Sequence, residues 1–111
     1  MQRAILVYTT FSTVVEAERV GEALVEARLA ACVNILPGMI SHYRWEGEIA
    51  RAEEAVMLVK TRAELGEDVR AAIRALHSYA TPMIAVIPLA SMDGDTLAWL
   101  MAATERGEPA T

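Results

Sequence analysis

Cys32 carries the only thiol of this 111-residue chain, and His77 carries one of its two imidazoles. A soft thiolate beside an imidazole suits copper, and divalent copper heads the affinity order for ordinary ligand sites. Such a site needs two or three ligands that converge. His42 is the other imidazole, and no His-x-His or His-x-x-x-His spacing exists to pair them. One cysteine also excludes an internal disulfide and every paired-cysteine zinc spacing. Six methionines offer thioethers, but Met57, Met83 and Met101 sit in apolar runs, where methionine fills gaps. Cys32 lies among Ala30, Ala31, Val33 and Ile35, so the competing reading is a small buried residue opening a strand. His77 follows a helical stripe, where an exposed imidazolium gains about 0.3–1 kcal/mol from the helix dipole. Cys32 and His77 are the metal candidates, each with that plainer alternative.

Tyr43, Trp45, Lys60 and Tyr79 form a second constellation. Tyr43 and Trp45 are two apart on an extended run and share one face. Lys60 is the only lysine among ten basic residues. An aromatic-walled cleft between subunits with that one cation would hold a small anion or carboxylate. The alternative is interface packing, since aromatics are enriched there. No Gly-rich phosphate loop, G-x-S-x-G elbow or H-E-x-x-H helix is present, so no catalysis is expected. The pairs Glu46/Glu48 and Glu53/Glu54 read as hairpin surface charge.

The elements that must position these residues follow from periodicity. "RAILVYT" (3–9) reads as a strand. Thr13 and Glu16 have capping-box spacing before a helix whose stripe is Ala17, Val20, Leu24, Ala27 and Ala31. "CVNILPGMISHYRW" (32–45) is a long strand with a bulge or bend at Pro37-Gly38. "EGE" turns it into a third strand, "IARAEEAVMLVKT". Thr61 and Glu64 repeat the capping-box spacing before a stripe of Leu65, Val69, Ala72 and Leu76. "HSYATP" is a turn, "MIAVIPL" a fourth strand, and Asp93 or Asp95 caps a last helix with Leu97, Leu100 and Met101. The order β-α-β-β-α-β gives an α+β, ferredoxin-like antiparallel sheet plus a C-terminal helix. A single domain over 1–104 and a frayed tail over 105–111 are expected.

Two main helices cover one face of such a sheet, yet the strands are apolar on both: Ile5 and Val7 alternate with Leu6 and Tyr8, Val56 and Leu58 with Met57 and Val59. A sheet with one wet face alternates apolar and polar residues. A homo-oligomer that dries the second face is therefore expected. Fifteen acidic against ten basic residues, a formal charge of −5, argue against a nucleic-acid partner. The opening "MQRAILVYTT" is too short an apolar run for a membrane span, and with the free thiol it points to the cytoplasm.

"EARLAACVNILPGMISHYRWEGEI", "LVKTRAEL", "HSYATPMIAVIPL" and "LAWL" together resemble the CutA family of divalent-cation tolerance proteins, over nearly the whole chain from Val7 to Leu100. The resemblance implies a tight homotrimer arranged like the PII signalling proteins, with long hairpin strands paired across subunits. It implies a role in metal-ion tolerance, weak copper binding in some members, and no established reaction. Cys32 matches the family cysteine and His77 the histidine of an "HPYE"-type turn, which reads His77-Ser78-Tyr79-Ala80 here. Members proposed to bind copper carry a further cysteine and histidine where this chain has Tyr8 and Leu76. The competing readings are a PII-like sensor of a small effector, from which the short "WEGE" turn departs, and a dimeric α/β-barrel enzyme.

Overall fold

Val7, Val59 and Met57 lose all contact with water, because they lie on adjacent strands beneath two amphipathic helices. The computed structural model describes residues 2–106. In chain order these comprise β1 (Ala4–Phe11), α1 (Val14–Glu26), β2 (Cys32–Trp45), β3 (Glu48–Arg62), a 3-10 turn (Ala63–Leu65), α2 (Gly66–Leu76), β4 (Ile84–Pro88) and α3 (Gly94–Ala103). The strands form one sheet in the order β2-β3-β1-β4, and every neighbouring pair is antiparallel. Each βαβ unit therefore leaves a gap that a strand of the other unit fills, which is the ferredoxin-like arrangement.

Odd-numbered residues of β1 and β3 face the helices. Ile5, Val7, Phe11, Ala55, Met57 and Val59 pack there against Ala17, Val20 and Leu24 of α1 and Val69 and Ile73 of α2. Gly21 lets α1 approach the sheet: a Cβ there would stand 2.7 Å from Val33 Cγ2. The even-numbered residues face away. α3 crosses to that side and covers its Ala4 end with Leu100 and Met101, tied by Arg62, which donates to Thr104 Oγ1 and to the Met101 carbonyl. Among the described residues no helix lies over the rest of the second face, and Leu36 and Ile87 are 54% and 41% exposed.

The hairpin is much longer than its neighbours. Within β3, β1 pairs only with Ala55–Arg62, so among the described residues Glu48–Glu54 has β2 as its sole partner. The expected bulge is present: Leu36 pairs with Val56 and Met39 with Glu54, which places Pro37 and Gly38 together opposite Ala55. Gly38 takes φ +76°, a conformation that costs glycine little. At the far end Glu46 and Gly47, at φ +50° and +79°, make the two-residue turn between the Trp45–Glu48 pair, as the primed hairpin turns require.

Local details differ from expectation at four places. α1 ends at Glu26, not near Ala31, because Arg28 takes φ +61°. The amides of Arg28 and Leu29 return to the carbonyls of Val25 and Leu24, a Schellman closure with arginine where glycine is usual. The first capping box is half made: Thr13 Oγ1 accepts from the Glu16 amide, while the Glu16 side chain leaves the helix for another partner. The second is absent, since buried Thr61 donates to the Leu29 carbonyl at 2.6 Å and α2 has no side-chain cap. The α2 stripe is rotated accordingly, burying Ile73 and leaving Leu76 45% exposed. α3 ends at Ala103, and of the tail expected to fray, 107–111 lie outside the described residues.

Candidate functional site

The segment after α2 is bound at three points, two on the sheet and one on α1. His77 leaves the helix with extended backbone and lays its ring on Phe11, with centroids 4.3 Å apart and planes 10° from parallel. His77 Nε2 lies 2.7 Å from the Thr10 carbonyl, so it must donate. His77 Nδ1 accepts from the Tyr79 amide at 3.1 Å. One tautomer of the neutral ring satisfies both bonds. The second tether is Glu16, a buried carboxylate that accepts from the Ser78 amide at 2.8 Å and the Ser78 hydroxyl at 3.0 Å. The third is the Tyr79 hydroxyl, which donates to Glu54 Oε2 at 2.9 Å.

Those tethers hold Tyr79 over the helix-free side of the hairpin. There a cavity of about 510 Å³ opens, lined among others by Tyr43, Trp45, Ala52, Glu54, Tyr79 and Met83. The alternation beyond the bulge explains the grouping: Met39, Tyr43 and Trp45 pair with Glu54, Ala50 and Glu48, all on the side away from α1 and α2. Trp45 and Tyr43 are 64% and 44% exposed, so the aromatic walls are open to water.

The Tyr79 phenol is pushed up to about 12, first by burial, then by its hydrogen bond to Glu54 and the negative charges of Glu54 and Glu16. An unfolded tyrosine titrates near 10. The folded chain therefore holds this proton longer than the unfolded one, and stability falls as pH rises from about 10 to about 12, after being full below that window. In an alkaline absorbance titration, one of the three tyrosines should ionise only near 12, and that late step should vanish in Tyr79→Phe. Loss of an ordinary step near 10 instead would refute the assignment.

Three of the four residues expected in a cleft thus meet within one chain. Lys60 does not. It lies six residues along β3 from Glu54, about 20 Å away, paired with Leu6 and Cys32. The charge in the cavity is instead Glu54, which reads in sequence as hairpin surface charge. Its signal was available: it shares the parity of Ala52 and Ala50 opposite the aromatic residues, once the bulge is counted.

The two metal candidates are not brought together either. Cys32 sits opposite Lys60 on the helix-free side, half-buried, with its Sγ 3.8 Å from Asn34 Nδ2. His77 meets β1 at Thr10, four residues or about 13 Å along from the Leu6 level of Cys32. Its ring stacks on the helix side, and both nitrogens are engaged. It does not serve the α2 carbonyls as a charged helix end. Among the described residues, no three His, Cys, Asp or Glu side chains converge on a point that could hold a metal ion. Cys32 and His77 of one chain therefore do not fit a copper site. His42 pairs with Arg51 on the opposite face from Tyr43.

A four-stranded antiparallel sheet with α1 and α2 on one face, a projecting hairpin and a tethered aromatic turn at its base defines a small α+β protein of ferredoxin-like fold. The family described as "CutA1 divalent ion tolerance protein" matches residues 5–103. A divalent-cation tolerance protein CutA of Archaeoglobus fulgidus is 45% identical over 94 residues, covering 85% of this chain and 91% of that one. The chloroplastic CutA of Arabidopsis thaliana is 34% identical over 101 residues, covering 91% of this chain and 56% of that one. The crystal structure of divalent ion tolerance protein CutA1 from Ehrlichia chaffeensis superposes with a TM-score of 0.92 at 33% identity, over 96% of this chain and 99% of that one. The chain belongs to the CutA family of divalent-cation tolerance proteins.

Proposed function

We propose that the chain acts in divalent metal-ion tolerance as a homotrimer in the cytoplasm, without catalysing a reaction. The observation that carries this reading is the helix-free sheet face. Leu6, Leu36, Leu58 and Ile87 lie there on four adjacent strands, and only the Ala4 end is covered by the chain's own α3. Burying apolar surface is worth about 25 cal/mol per Å², so sister copies are the economical cover for such a patch. The hairpin supports the same arrangement: beyond Ala55 the outer edge of β3 is unpaired among the described residues. Among the described residues no helix is long and apolar enough to cross a membrane.

Weak copper binding belongs, in this reading, to contacts between subunits, with Cys32 on the shared face as its thiol. Light scattering should return the mass of three chains, and Leu58→Asp should lower it to one. Calorimetric titration with copper should show weak binding that Cys32→Ser removes and His77→Ala retains. A monomeric wild type ends the assembly reading. Equal copper binding by wild type and Cys32→Ser ends the role of the thiol.

A second reading, a PII-like trimer that binds a small effector in clefts between subunits, is favoured by the aromatic cavity at Tyr43, Trp45 and Tyr79. The two-residue Glu46-Gly47 turn stands against it, since PII proteins use a long loop in that place.

A further inference from the structure

Thr13 and Glu16 have the spacing of a capping box, in which the glutamate carboxylate reaches back to the amide of the cap residue. Only half of that box is made: Thr13 Oγ1 accepts from the Glu16 amide at 3.1 Å. The Thr13 amide, which donates in the other half, makes no backbone hydrogen bond among the described residues. Both oxygens of Glu16 are turned instead to Ser78, Oε2 to its amide at 2.8 Å and Oε1 to its hydroxyl at 3.0 Å. One buried side chain thus has two sets of donors, a distant set in use and a local one unused. Neither choice leaves the charge bare. In both it stays in the first turn of α1, where the helix dipole favours it. Two bonds to a carboxylate outweigh one by about tenfold or more. The Ser78 form therefore dominates, and the local form is a minor state of roughly 1–10%.

We propose that Glu16 is a two-position switch: turned to Ser78 it fastens the segment after α2 to α1, and turned to the Thr13 amide it completes the cap and lets that segment go from the helix. Ser78 stands between His77 and Tyr79. The switch therefore decides whether the turn that brings the Tyr79 hydroxyl to Glu54 is held by α1 and the sheet or by the sheet alone. The bond from the Glu16 amide to Thr13 Oγ1 is common to both positions, so α1 keeps its start while the turn changes its hold.

Backbone amide exchange in the intact protein, read residue by residue by NMR, tests the switch. The His77 backbone is extended, with ψ 142°, which admits proline at the next position. Ser78→Pro removes the amide donor and the hydroxyl together. Exchange at the Thr13 amide should then slow by roughly threefold to tenfold against the wild type, as the box closes. Adding Glu16→Ala to Ser78→Pro should abolish that slowing. Ser78→Ala keeps the amide and loses only the hydroxyl, so it should slow Thr13 by a smaller factor, and it carries the test if the proline variant does not fold. Unchanged Thr13 exchange in the folded Ser78 variants overturns the proposal, as does a slowing that survives the loss of the Glu16 carboxylate.

Discussion

Phe11→Ala should destabilise the folded chain by about 3–5 kcal/mol, the range for deleting a fully buried phenylalanine. Phe11 is the last residue of β1 and has no exposed surface. It packs in the cluster formed by α1, α2 and the sheet, and its ring carries His77. The substitution removes core volume and the platform on which the post-α2 segment turns. Phe11→Leu keeps most of the volume and loses only the flat face, so it should cost about half as much. Chemical denaturation at one fixed protein concentration measures both. A loss under about 1 kcal/mol for alanine would mean that the side chain is not enclosed as described.

Glu16→Ala should cost about 2–3 kcal/mol, because it removes two hydrogen bonds from Ser78 to a buried carboxylate. Glu16 stands in the first turn of α1, where the helix dipole favours a negative group, and no basic side chain pairs with it among the described residues. Its partners are thus the helix terminus and the Ser78 donors. Glu16→Gln retains one acceptor oxygen and should cost less, about 1 kcal/mol. A purely local helix effect would stop there. A tether has a second consequence: with Glu16 gone, the Tyr79 phenol should titrate at lower pH, since Glu16 contributes to holding it up. Unchanged Tyr79 titration and unchanged stability in Glu16→Ala would remove the tether from the account.

The strand and helix order, the bulge at Pro37-Gly38 and the turn at Gly47 were legible because each has a local cause. Period-two and period-3.6 patterns, and glycines at positive φ, act within a few residues of chain. The misreadings have non-local causes. Arg28 closes α1 without the glycine that usually signals such a closure. Thr61 has the spacing of a cap, yet its hydroxyl is claimed by the Leu29 carbonyl from the adjoining loop. Glu16 has the same spacing and is claimed by Ser78, 62 residues away. The grouping of Tyr43 with Trp45 was legible because they share a strand face. The place of Glu54 was not, because it depends on counting the bulge, and Lys60, six residues along β3, lines no part of that cavity within one chain.

The unequal step at Pro37 and Gly38 also fixes how the molecule can tolerate changes of length. Before it, odd positions of β2 such as Val33 and Ile35 belong to the core. After it, odd positions such as Tyr43 and Trp45 belong to the opposite surface. The arm is therefore in antiphase with the body of its own strand. Losing a single residue at this step would leave one residue opposite Ala55 and a regular ladder, with Tyr43 still opposite Ala50 and the aromatic rings still on the cavity side. Lengthening the hairpin tip alters only its reach. The pairing of the arm with β3, more than the number of residues at the step, is what keeps this surface.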